Sequence, residues 1–321
     1  MRLYVLLLLT LAGCASQPAP QSKAPPEWVL SSGGSYPIGS YLTGLGSGAN
    51  QTIAADRARS ELVKIISVTV ESASSARTAM DADGYRSDFA SRVFARSTQT
   101  IEGVEIAERW YDEANDLYYA LAVLDRQRAA SRLRSIVAHN DLEIDNLEQE
   151  ALKQGDLARL KLISSALELL KERVISVAVL SVLDDRAVIS SSKALRLNAL
   201  KRETIGNLTF GVIGDTEAVR VFSSALGAEG FAIATDSNYD YEARVSFNIN
   251  VRDQNGWKWA NAVLDAQITD RRNRTMHSSF RFEARESSQD TATAKARALK
   301  KLQRELHDKL LSSIVSSDGL R

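Results

Sequence analysis

Tyr239-Asp240-Tyr241-Glu242-Ala243-Arg244-Val245-Ser246-Phe247-Asn248-Ile249-Asn250-Val251 sets an apolar or aromatic side chain at every second position without a break. A period of two sends alternate side chains to opposite faces, so the stretch is a strand with one face buried and one face wet. Asp253-Gln254-Asn255-Gly256 turns the chain, and Trp257 to Ile268 returns it. Polar Asp270 to Asn273 turns it again into a third strand carrying Met276, Ser278, Phe280, Phe282 and Ala284. Ser287, spaced to Asp290 like a capping box, starts a closing helix with Leu299, Leu302, Leu306, Leu310 and Ile314 on one face. Upstream, Leu208 to Ile213 reads as a strand, Glu217 to Leu226 as a helix ended by Gly227, and Phe231 to Ala234 as another strand. Residues 207–317 are therefore expected as one domain with the order β-α-β-β-β-β-α.

Before residue 207 the period changes. Leu133, Val137, Ile144, Leu147 and Ala151 form one helical stripe, and Leu160, Ile163, Leu167, Leu170, Val174 and Val177 form a second, separated by Gly155-Asp156. The segment 126–206 reads as an antiparallel helical hairpin with a shorter helix from about Ser190, and Asn140 within the first stripe reads as a solvated residue, the alternative being that it fixes register or pairing. Residues 27–125 read as an α+β domain. Its pieces are a short strand at Glu27 to Leu30, a helix through Ala54, Ala58, Leu62 and Ile65, a β-branched strand Ile66 to Val70, a turn from Asp81 to Gly84, and an amphipathic segment with Phe89 and Val93. Strands from Ile101 to Tyr111 and Leu117 to Val123 follow as a hairpin. The fold class is α+β, two small antiparallel-sheet-plus-helix domains joined by a helical hairpin.

The 321 residues carry 40 Lys plus Arg against 40 Asp plus Glu, which removes the basic footprint that a phosphate backbone requires and argues against nucleic acid. One Cys makes no internal disulfide or thiolate cage, and His139, His277 and His307 are isolated, so no metal site is expected. None of the three His neighbours a nucleophile elbow or lies in a metal-type spacing; each reads as a solvated face residue. Asp81 with Asp83, and Asp184 with Asp185, sit in turn-like segments where Asp bonds the backbone. No catalytic residue and no enzyme activity is expected.

Gly44-Leu45-Gly46-Ser47-Gly48-Ala49 fits the loose G-x-G-x-x-A dinucleotide pattern, but no buried strand or βαβ succession frames it. It is read as a flexible loop leading into a helix, and no cofactor is expected. Trp257 and Trp259 share one strand face opposite Ala260, Ala262, Leu264 and Ile268. If the alanine side packs under helices, the indoles lie outward near a hairpin tip and offer a partner contact. The alternative is that they cover the sheet edge or dock on the helical hairpin.

The chain opens with Met1-Arg2, an apolar run through Leu9, and Leu11-Ala12-Gly13-Cys14. A basic start, a short apolar core and a small-residue exit describe a secretory signal peptide, residues 1–13, too short to span a bilayer. Leu-Ala-Gly-Cys resembles the lipobox of bacterial lipoproteins, which implies cleavage before Cys14 and lipidation of Cys14 with acyl chains such as palmitate. Three acyl chains exceed what stable anchoring requires. Ala15 after the Cys favours, by the same resemblance, outer-membrane sorting. Losing Arg2 leaves one fewer cation than anions, so nothing beyond the lipid suggests membrane binding. Residues 14–26, with four of the five prolines, form an extended tether.

Pro26-Glu27-Trp28-Val29, Tyr36-Pro37, Tyr41-Leu42-x-Gly44-x-Gly46 and the helix from Ala54 to Leu62 running into Ile65 to Val70 resemble the twenty-kilodalton membrane-associated lipoprotein family, over about residues 25–125. That family includes outer-membrane lipoproteins linked to flagella. Phe210-Gly211-Val212-Ile213 and Gly227-x-x-Gly230-Phe231 resemble the TolB amino-terminal type found in envelope assembly lipoproteins and flagellar ring proteins. These resemblances imply a periplasm-facing, outer-membrane-anchored scaffold or assembly factor of the cell envelope, for which a flagellum-associated role is one form. Its partners would be the membrane through the lipid, and envelope proteins or a second copy. The alternative is a binding module for peptidoglycan or a lipophilic ligand that uses the outward aromatics.

Overall fold

The computed structural model describes residues 24–30, 35–75, 83–100, 104–184, 186 and 192–316. Cys14, its leader and most of the tether lie outside the described residues. The chain divides into two compact units, one within Met1–Leu133 and Val179–Arg186, the other within Arg134–Ala178 and Ala187–Arg321.

The first unit begins with a single helical turn, α1 (Glu27–Leu30), where the sequence predicts a strand. Val29 N–H donates to the Pro26 carbonyl at 3.0 Å, and four residues are too few for either period to be legible. β1 (Tyr41–Gly48) corrects a second expectation, because the glycine-rich stretch is a strand and not a loop. It pairs antiparallel with β3 (Leu117–Asp125), and β2 (Glu105–Asp112) lies on the other side of β3, giving the order β1-β3-β2.

α2 (Gln51–Ser75) packs on β1 and β3, followed by α3 (Asp83–Thr100). The strand expected at Ile66 to Val70 is instead the continuation of α2. Ala58, Leu62, Ile66 and Val70 recur every four residues and are 0–2% exposed. A β-branched residue loses only about 0.5 kcal/mol in a helix, whereas burying an Ile or Val side chain gains about 2 kcal/mol, so packing overrides propensity. Asp83 and Gly84, expected in a turn, open α3.

Gly44 and Gly46 let α2 settle directly on β1. A Cβ at Gly46 would stand 2.2 Å from the Ala58 amide nitrogen and 2.3 Å from the Ala54 carbonyl oxygen, and one at Gly44 would stand 2.4 Å from the Ala58 carbonyl oxygen. The pattern that resembles a dinucleotide fingerprint is thus a backbone-to-backbone seam.

α4 (Arg126–Lys153) and α5 (Asp156–Leu183) match the two predicted stripes and contribute to both units. In the second unit they join α6 (Ser192–Gly206) around Ile144, Ala166, Leu170 and Leu197. Asn140 is buried there, at 8% exposure, and not solvated. Ion pairs fasten the three helices: Arg173 Nε donates to Asp141 at 2.8 Å, Lys193 Nζ reaches Asp145 at 2.7 Å, and Arg196 holds Glu148 with two bonds.

β4 (Thr209–Gly214), α7 (Thr216–Glu229), β5 (Ala232–Ile233), β6 (Tyr241–Gln254), β7 (Trp257–Asp270), β8 (Thr275–Ser288) and α8 (Thr291–Val315) follow the expected β-α-β-β-β-β-α order. The sheet order is β5-β4-β6-β7-β8. β6, β7 and β8 form the antiparallel meander, while β4 runs parallel to β5 and β6, since a β-α-β crossover returns the chain in the same direction. α7 ends at Gly230, whose φ of 94° closes the helix in the left-handed region; Gly227 lies within the helix. β8 runs to Ser288, and Asp290 is the N-cap of α8, accepting from the Thr293 amide at 2.7 Å, so the proposed box from Ser287 is replaced by a single cap.

The main core lies between one sheet face and α7 and α8. Phe210, Phe222, Ala243, Ala262, Leu264, Ala298, Leu302 and Leu306 are fully enclosed there. The opposite face of β6, β7 and β8 carries the polar half of the alternation.

Candidate binding surface

The β6–β7 turn sets the geometry of the two tryptophans. Asn255 and Gly256 have φ of 54° and 79°, the left-handed pair that a two-residue hairpin needs. That turn fixes the register, so Trp257 stands across from Gln254, Trp259 from Arg252, and Asn261 from Asn250. Ala260, Ala262 and Leu264 point to the core, at most 1% exposed, and leave Trp257 and Trp259 46% and 45% exposed on the other face. Asn261 Oδ1, on that face, is enclosed without a hydrogen-bond partner. Arg252 makes no side-chain hydrogen bond or ion pair with any described residue.

The long outer edge of the sheet is partly closed. Lys301 Nζ and Arg297 Nη1 on α8 donate to the β8 carbonyls of Arg285 and Ser287 at 3.3 and 3.1 Å. Side chains that occupy edge carbonyls oppose strand addition there.

The remaining candidates do not converge. His139 and His307 are exposed on helices, and His277 is half-buried with Nε2 3.1 Å from the Ile314 carbonyl oxygen. Asp184 accepts from the Arg186 amide at 3.2 Å, a turn role; Asp81 and Asp185 lie outside the described residues. Among the described residues no three His, Cys, Asp or Glu gather as metal ligands. The Tyr111 phenol is pushed up to about 12 by its bond to Asp116, which favours the neutral form. The sequence reading missed a cleft of about 290 Å³ in the first unit, lined by Tyr36, Tyr41, Glu105, Arg128 and Arg132. Its residues come from three stretches, 36–41, 105–107 and 123–132, and no local spacing joins one stretch to another.

Residues 26–125 match the LPP20 lipoprotein family, the twenty-kilodalton family that the sequence resembles. No curated protein matches the chain. Among solved structures it is similar to a secreted protein of Helicobacter pylori at 13% identity and a TM-score of 0.44, covering 86% of this chain and 98% of that one. A minor lipoprotein of Acinetobacter baumannii matches at 14% identity and a TM-score of 0.28, covering 32% of this chain and 90% of that one. A lipoprotein of Neisseria meningitidis matches at 14% identity and a TM-score of 0.25, covering 33% and 99%. No helix among the described residues is long and apolar enough to cross a membrane.

Proposed function

We propose that the chain is anchored in the outer membrane through lipidated Cys14, faces the periplasm, and serves as a non-enzymatic scaffold or assembly factor for an envelope structure, a flagellar one included. The LPP20 match over residues 26–125 carries this reading, because a segment similar to that lipoprotein family follows the stretch expected as a tether. The Leu-Ala-Gly-Cys leader and Ala15 supply the anchor and its destination. Membrane fractionation tests the placement: the wild-type chain collects in the outer membrane and Cys14→Ser does not. Recovery of an acylated Cys14→Ser chain in that fraction sinks the anchoring. Crosslinking in cells tests the scaffold role, which predicts envelope proteins or a second copy as products.

The half-exposed indole pair favours a second reading, a binding module for the cell wall, within the same periplasmic placement.

A further inference from the structure

We infer that the open face of the β6–β7 hairpin is a glycan-binding site, with Trp257 and Trp259 as stacking platforms for the glycan strands of the cell wall. The proposal rests on the periplasmic placement above and goes beyond it by naming the ligand and the residues.

Three observations select this occupant. The first is spacing. Residues two apart on one strand face stand roughly 6.5–7 Å apart, so the two indoles form a short row and not a single plug. A pyranose chair presents the axial C–H groups of one face to such a surface, and its equatorial hydroxyls then fall beside the neighbouring strand.

The second is the chemistry of that strand. Gln254, Arg252 and Asn250 stand directly across from Trp257, Trp259 and Asn261. Amides both donate and accept, and the guanidinium supplies several donors, which suits hydroxyl, acetamido and carboxylate groups on one ligand. Arg285, next on the face across from Asn261, is paired with Glu283 at 3.2 Å, whereas Arg252 has no partner among the described residues and stays available for a carboxylate. The enclosed Oδ1 of Asn261 is an acceptor that a ligand donor can satisfy once the side chain turns outward.

The third is area. Each indole, a little under half exposed, offers roughly 100 Å² of a side chain that buries 150–250 Å² in full. Two of them supply far less than the roughly 800 Å² per partner of a stable protein interface, and the surrounding positions are polar. A narrow strand fits; a second copy does not.

The test is co-sedimentation of the detergent-solubilised full chain with protein-free sacculi, alongside sedimentation velocity for self-association and urea unfolding for fold integrity. The wild-type chain binds. Trp257→Ala with Trp259→Ala weakens binding at least roughly tenfold, Arg252→Ala roughly threefold, and Trp257→Phe with Trp259→Phe stays within roughly threefold of wild type, at unchanged urea midpoints. Sacculus binding indifferent to the alanine pair overturns the proposal, as does loss of self-association in its place. Fractionation to another membrane overturns only the placement, since sacculus binding in vitro does not depend on it.

Discussion

Gly46 shows how one missing side chain decides a contact. Since its Cβ would collide with backbone atoms of α2, which cannot rotate away, Gly46→Ala should cost about 3 kcal/mol or more. Gly155→Ala, where nothing lies within 4 Å, should cost nothing measurable, and urea unfolding of the two variants separates the cases. Asp215 is a second such residue. Its carboxylate caps α7 through the Ala218 amide at 2.8 Å and also accepts the Phe247 amide of β6 at 2.9 Å. These two bonds hold its carboxyl below the ordinary range. Asp215→Ala should therefore cost about 2 kcal/mol, more than Asp290→Ala, which loses a helix cap alone. Equal losses in the two would show that the Phe247 bond contributes nothing.

At the scale of elements, α4, α5 and α6 are held by charge as well as by apolar contact. Burial opposes ionisation of Asp141, yet bonds from Arg173 and Lys193 outweigh it and keep its carboxyl below the ordinary 3.8. A carboxyl lowered in the folded state stabilises fully above its unfolded value and loses that contribution as pH falls through the folded value. The melting temperature should hold between about pH 7 and 5 and drop below about pH 4. Asp141→Asn should be less stable than wild type by about 1–2 kcal/mol at neutral pH, with the gap closing toward pH 3. A gap independent of pH would remove Asp141 from the acid transition. The pairs were not legible in the sequence because Asp141, Asp145 and Glu148 find partners near position 193, which only the return of the chain brings alongside.

For the whole molecule, the balance of 40 cations and 40 anions leaves no net field to hold it on an anionic surface. The attachment proposed through acyl chains on Cys14 should then resist extraction by concentrated salt and yield to detergent. Release by salt alone would point to electrostatic binding instead. The exposed tryptophans should matter little for folding, so their double alanine variant should melt within about 2 °C of wild type, as surface changes within 0.5 kcal/mol do.

Periodicity alone determined the β6–β7–β8 meander, the long helix pair and the β-α-β-β-β-β-α order, because side-chain alternation records directly which face is buried. The LPP20 resemblance of residues 26–125 was also legible, as it depends on local order. Tertiary structure decided the rest. Ile66 to Val70 joined a helix because burying Ile66 and Val70 outweighs a small propensity, and the glycines of β1 became a seam because α2 lies on them. Gln254 and Arg252 came to face the two tryptophans because an Asn-Gly turn set the register of the hairpin. The first two depend on neighbours distant in sequence, which no local pattern of residues encodes, and the third on the backbone conformation of the turn, which fixes which residues pair.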